Sequence, residues 1–286
     1  MAHDTEVVNP RAKITKGLLS VYGVCIYIFL FAPIAVMIAL SFNKSNVVGF
    51  PMTGFTLDWY QALTQNATIQ GALANTLWVA SWVVILATVI GTAAAFPLVR
   101  AQIKYPAAVR VFVTLPIMIP GLLIGVAILV LSTNILHLQP SLPIAVIGQT
   151  VLATPFVILV VSSRLETLDR NYERAAADLG AGPVKRFVFV IMPLIYPGVV
   201  AAALMAFTLS LDEFVVTNFI IGSDQTLPIY IYSQLKFGIT PEVNALATLM
   251  LLATVTLIGV TALALKLIKM LTGRKVRKAQ LEEQNA

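Results

Sequence analysis

The sequence predicts an all-α integral membrane protein with six transmembrane helices and a helix-turn-helix loop between spans 4 and 5. Three observations carry that reading. Hydrophobic residues make up 58% of the 286-residue chain and charged residues only 11%, against about 25% charged in a soluble globular domain. Six apolar runs, near 18–41, 72–98, 108–134, 142–163, 196–221 and 244–268, each reach the roughly 20 residues that a helix needs to cross the hydrocarbon core. Between the fourth and fifth runs the chain turns charged and small: Tyr172-Glu173-Arg174-Ala175-Ala176-Ala177-Asp178-Leu179-Gly180-Ala181-Gly182-Pro183, closed by Met192-Pro193.

Residues 1–17 form a polar, basic N-terminal segment. The run at 18–41 is too long for a signal-peptide core and has no A-x-A site, so it reads as a retained first span. None of the six runs alternates with the period of two that a barrel strand requires. Backbone groups cannot stay unpaired in lipid, so all six read as helices. Pro33, Pro97, Pro116, Pro120 and Pro155 lie within runs. The densest cluster, Pro116–Gly121, reads either as a kink of a transport pathway or as a packing kink. Cys25 lies in an apolar run and reads as a small buried hydrophobe; one cysteine excludes an intrachain disulfide. His3 and His137 sit in no metal-ligand spacing.

Six spans put both termini on one side. Seventeen of the 19 basic residues fall on that side: Arg11, Lys13 and Lys16; Arg100, Lys104 and Arg110; Arg164, Arg170, Arg174, Lys185 and Arg186; and six from Lys266 to Lys278. Only Lys44 and Lys236 fall opposite. The bias predicts cytoplasmic termini and a cytoplasmic loop between spans 4 and 5. It also accounts for the net charge of +6 without nucleic acid: the basic residues, including the tail at 269–286, fix topology and meet anionic membrane lipid.

Within the loop, Asp169 or Asn171 can cap a helix start, and residues 172–179 are good helix formers. Gly180 suits a left-handed helix end. Pro183 suits the first turn of a second helix, running through Val184–Val190 to Pro193. Ala175, Ala176 and Ala177 give a face without bulk that another protein surface can approach. No glycine is followed by lysine, so the chain lacks the loop that cradles ATP phosphates. No Ser/His/Asp set or metal cluster supports an enzyme.

This segment resembles the EAA loop of the permeases of binding-protein-dependent ABC importers. The family pattern is Glu-Ala-Ala, three residues, Gly, nine residues, then Ile-x-Leu-Pro. Ala175 and Ala176 match the alanines and Gly180 the glycine; Val190, Met192 and Pro193 match the end conservatively. Arg174 stands where the pattern has Glu, with Glu173 one residue early, about a 100° turn away on a helix. The resemblance covers residues 71–268, the importer core domain, with the first span as an extra helix. It implies an ATPase-coupling surface at Glu173, Arg174, Ala175, Ala176, Asp178, Gly180, Pro183 and Pro193. It further implies that no cofactor binds this chain and that two copies of a partner ATPase use ATP. A companion permease subunit, a periplasmic solute-binding protein and the inner membrane of a bacterium complete the expectation.

The fifth run contains Ser210-Leu211-Asp212-Glu213-Phe214. Carboxylates inside a membrane are costly unless paired or hydrated. They read either as part of a path for a small cationic solute or as structural groups hydrogen-bonded to neighbouring helices. Phe207, Phe214 and Phe219 can offer cation–π faces. The segments 43–70 and 222–243 carry Phe50, Phe55, Trp59, Tyr60, Tyr230 and Tyr232, either to receive a binding protein or as interfacial anchors. Phe207–Val215, Thr226–Ser233, Gly238–Leu249 and Ser162-Ser163-Arg164-Leu165 are similar to the second permease subunit of putrescine and spermidine importers. Those usually read Leu-Asp-Asp where this chain has Leu211-Asp212-Glu213. The likeness implies polyamine translocation with Ser210, Asp212, Glu213 and Phe214 in the pathway. The alternatives are the same kind of importer for another solute, or a secondary transporter working alone.

Overall fold

The computed structural model describes residues 10–101, 103–238 and 240–284. His3 and the rest of residues 1–9, Ile239 in the Gly238–Leu249 passage, and Asn285 and Ala286 of the tail lie outside the described residues. The described elements are α-helices and two π-helical turns, with an isolated bridge between Asn43 and Phe55. The chain divides into two compact units. One holds the described residues up to Gln65 together with Phe237–Leu251; the other holds Asn66–Lys236 and the residues from Leu252 onward.

In the first unit, α1 (Pro10–Leu40) exposes Leu18, Tyr22, Phe29 and Phe31. A helix apolar all round suits lipid on every side. Cys25 is exposed on this helix, which corrects the buried reading: a helix apolar all round has no single core-facing side on which an apolar position must be buried. After α1 the chain folds onto Asn43. Its side chain accepts the Thr53 N–H at 3.1 Å, and its carbonyl accepts the Trp59 indole N–H at 2.8 Å. Phe42 stacks on Phe55, with centroids 5.1 Å apart, just before α2 (Asp58–Gln65).

The second unit is built on three long helices. In α3 (Ala67–Arg100), Asn66 caps the start by accepting the N–H groups of Thr68 and Ile69. α4 (Pro106–Met118) and α5 (Gly121–Val130) follow, the latter extended by a π-turn at Leu131–Ile135. Next come α6 (Leu142–Glu166), α7 (Asn171–Asp178) and α8 (Pro183–Arg186). A π-turn at Phe187–Ile191 joins α8 to α9 (Met192–Asp212) without interruption. α10 (Val215–Ile220), α11 (Leu227–Phe237) and α12 (Pro241–Gln284) complete the order.

Among the described residues, five helices are long and apolar enough to cross a membrane, or six if the pair α4 and α5, bent by 92°, is one crossing. Two expected runs are thus not single helices. The run 108–134 breaks at Ile119, which is extended at φ −81°, ψ 128°, because the ring of Pro120 disfavours helical geometry in the residue before it. The run 196–221 ends at Asp212: Glu213 is extended at φ −72°, ψ 106°, and its carboxylate takes the Val216 N–H at 2.7 Å. The second hairpin helix, expected to stop at Pro193, instead continues into the span. Proline has no N–H to give to the carbonyl four residues back. The wide turn beside it, in which the Met192 N–H reaches the Phe187 carbonyl, absorbs the mismatch.

The core is where α3, α6 and α9 meet, through Val79, Val83, Ala87, Val157, Val161 and Ile195. Glycine sets the spacing. A Cβ on Gly91 would lie 2.5 Å from Val157 Cγ1 and 2.7 Å from Val157 Cβ. A Cβ on Gly148 would lie 2.4 Å from Ile220 Cδ1, so α10 is drawn against α6. Val157 is fully buried and cannot swing aside. Gly91→Ala is therefore expected to destabilise the bundle by about 1–3 kcal/mol, read as a lower unfolding midpoint in detergent. Adding Val157→Ala should recover much of it; a midpoint unmoved by Gly91→Ala would refute the close contact.

Candidate functional site

The two helix breaks face one cavity of about 300 Å³. Pro116, Ile117 and Ile119 line it from the α4–α5 break, and Leu209, Ser210, Glu213 and Val215 from the α9–α10 break. α6 closes it with Gln149, Leu152 and Phe156. Broken helices free backbone groups that lipid cannot satisfy, so they occur at membrane depth only inside protein or around a wet cavity. Among the described residues, Glu213 is the charged group in this wall.

A buried polar chain holds the α9–α10 break. The Ser210 hydroxyl donates to Gln149 Oε1, and Gln149 Nε2 donates to Thr217 Oγ1 at 2.7 Å. All three side chains are buried. One carboxamide thus ties the end of α9 and the middle of α10 to α6. Of the four pathway residues expected from sequence, Ser210 and Glu213 line the cavity. Asp212 is exposed and outside its wall. Phe214 turns to Tyr232, with ring centroids 4.4 Å apart. Gln149 and Thr217 escaped the sequence reading, although Gln149 is the one carboxamide in the apolar run 142–163.

The second candidate surface is the segment 169–193. Asp169 Oδ1 accepts the Asn171 N–H at 2.9 Å. α7 closes with the Gly180 N–H on the Ala177 carbonyl and the Ala181 N–H on the Ala176 carbonyl, both at 2.9 Å. That double closure needs a left-handed residue, and Gly180 supplies it at φ +81°. Gly182 and Pro183 then start α8. Arg174, Ala175, Ala177 and Asp178 are exposed; Ala176 is half-buried, and Pro183 and Pro193 are exposed. Leu179 is 89% exposed and Val184 75%, two apolar residues on an uncharged turn flanked by Asp178, Lys185 and Arg186.

Glu173 points the other way. Its Oε1 lies 2.7 Å from Arg100 Nε at the end of α3, with both side chains largely buried. Arg100 also donates to the Leu168 carbonyl at 3.1 Å, and Arg170 donates to the Val99 carbonyl at 3.2 Å. The two adjacent residues are therefore split, Glu173 binding the body and Arg174 facing out. Beneath the segment, Arg164 lies over Gly198, where a Cβ would come within 2.8 Å of its Cγ, and donates to the Leu194 carbonyl at 3.3 Å.

Residues 87–277 match the family model of the binding-protein-dependent transport system inner membrane component. The chain is 34% identical to the putrescine transport system permease protein PotI of Escherichia coli (strain K12), over 82% of this chain and 86% of that protein. It is 34% identical to the spermidine/putrescine transport system permease protein PotC of Haemophilus influenzae, over 83% and 92%. Among solved structures, a bacterial ABC transporter involved in the import of alginate superposes with a TM-score of 0.70 at 14% identity, over 90% of this chain and 98% of that one. The MetNI methionine ABC transporter, in inward-facing form, gives 0.56 at 21% identity, over 72% and 95%. The chain belongs to the inner-membrane permease family of binding-protein-dependent ABC importers.

Proposed function

We propose that this permease subunit passes polyamines, putrescine or spermidine, through the cavity at the two helix breaks. The observation that carries the proposal is the Glu213 carboxylate in the wall of that cavity. A polyamine is a chain of methylenes bearing ammonium groups. Glu213 and the Ser210 hydroxyl suit an ammonium, and Ile117, Leu152 and Leu209 suit methylenes. Asp212, exposed beside the break, adds negative charge, and Phe214 braces the break through Tyr232. Relatives named for putrescine and spermidine transport support the same solute class.

In this reading the chain makes six crossings, α4 and α5 together counting as one, with both termini and the 169–193 hairpin in the cytoplasm. The basic-residue bias supports that orientation. Of the two ATPase subunits in the complex, one docks on the exposed face of this hairpin at Arg174, Ala175, Ala177, Asp178 and Leu179; the permease itself is not an enzyme. A companion permease completes the pore, and a periplasmic binding protein delivers solute from the opposite side. ATP-driven closure of the ATPases draws the hairpins together, and the spans open toward the periplasm.

Labelled putrescine and spermidine uptake should disappear when the chain is deleted and return when it is restored. Glu213→Gln should restore less than about a tenth of that uptake, with the ATPase still co-purifying. Wild-type uptake by the variant would remove Glu213 from the path. At Gly180 an added Cβ meets no neighbour within 4 Å, so Gly180→Val acts by straining a left-handed position. It should insert normally yet transport at least about tenfold less per ATP hydrolysed, and equal coupling would sink the docking role. Glu173→Arg should make the hairpin more open to protease by setting it against Arg100. The swap Arg100→Glu with Glu173→Arg should restore protection, unless the ion pair does not hold the hairpin.

A further inference from the structure

We propose that Gln149 is a positioning residue for solute passage: its carboxamide sets the α9–α10 break so that Glu213 presents its charge to the cavity. The inference rests on the cation pathway proposed above and adds to it the residue that orients the charge.

The geometry runs through four groups. Gln149 Oε1 accepts from Ser210, three residues before Glu213, and Gln149 Nε2 donates to Thr217, four residues after it. The neighbour of Thr217 is Val216, whose N–H is bound by Glu213 Oε1 at 2.7 Å. Moving Thr217 therefore moves the donor that aims Glu213. The carboxamide is the only side chain bonded to both sides of the break among the described residues, and it lines the same cavity as the carboxylate.

Packing and aim are carried by different contacts. α10 is held against α5 and α6 by apolar approach. A Cβ on Gly125 would lie 3.2 Å from Val216 Cα, and one on Gly148 would lie 3.1 Å from Val216 Cγ1. Those contacts survive the loss of the carboxamide. Ser210 and Thr217 can also turn their hydroxyls to their own helix carbonyls, as Thr208 does to Leu204 at 3.0 Å. Removing Gln149 should thus leave the bundle assembled while freeing the rotation of α10 and, with it, Glu213.

The test uses the complete transporter, with companion permease, ATPases and binding protein, in proteoliposomes. Putrescine imported per ATP hydrolysed is measured at saturating binding protein. Gln149→Leu should lower that ratio about fivefold or more. Gln149→Glu, which can accept from both hydroxyls, should recover most of the loss. Gln149→Leu combined with Glu213→Gln should be no worse than Glu213→Gln alone, because two residues acting through one charge are not additive. Multiplicative losses, or a Gln149→Glu variant no better than Gln149→Leu, would overturn the inference. Thr217→Val breaks one bond of the pair and gives the same cycle if Gln149→Leu does not assemble. A wild-type transporter that imports no putrescine would instead remove the polyamine reading, and the cycle would be read with the solute its binding protein carries.

Discussion

Satisfying backbone polar groups at membrane depth is the constraint on which the rest of this structure depends. An unbroken helix meets it almost entirely internally, and α3 and α6 run unbroken, each losing one bond at an internal proline, Pro97 and Pro155. The exceptions are Ile119–Pro120 and Glu213–Phe214, and both are placed at one cavity. At the second break the Glu213 carboxylate replaces a lost helix bond by taking the Val216 N–H, and Gln149 ties the two helices together through the hydroxyls of Ser210 and Thr217. A cavity with Gln149, Ser210 and Glu213 in a largely apolar wall is thus both the consequence of the breaks and the place where they are tolerable.

Small residues make this arrangement compact enough to hold. Lipid gives helices little hydrophobic reason to associate, so close backbone approach and interhelical hydrogen bonds carry more of the load. Gly91 lets α3 reach Val157, and Gly148 and Gly125 admit α10 between α5 and α6. With the long helices fixed in this way, a break two residues long can be set to within a side-chain rotation.

The sequence made the class and most of the elements legible because transmembrane length and apolarity are one-dimensional signals. Gly180 and Pro183 were legible for the same reason: each answers a local backbone demand. Continuity of the spans was less so. Pro116 and Pro120 marked the first break, but nothing apolar distinguishes 196–212 from 215–220, and the second break depends on a carboxylate taking a backbone N–H. Gln149 was missed because its partners lie 61 and 68 residues away, a separation that no local pattern records. Arg100 was read only for its charge, although its pairing with Glu173 decides which of two neighbouring residues faces outward.

That pairing has a mechanical meaning. The segment 168–173 grips the last turn of α3 at three points: Glu173 on Arg100, Arg100 on the Leu168 carbonyl, and Arg170 on the Val99 carbonyl. α3 is in turn seated on α6 through Gly91 and Val157. A tug on the hairpin is therefore delivered to the tip of a 34-residue rod already geared to its neighbours. In the proposed transport cycle, the rod would convert a short stroke at one end into a tilt of the α3, α6 and α9 trio, with the α4–α5 and α9–α10 breaks as the joints.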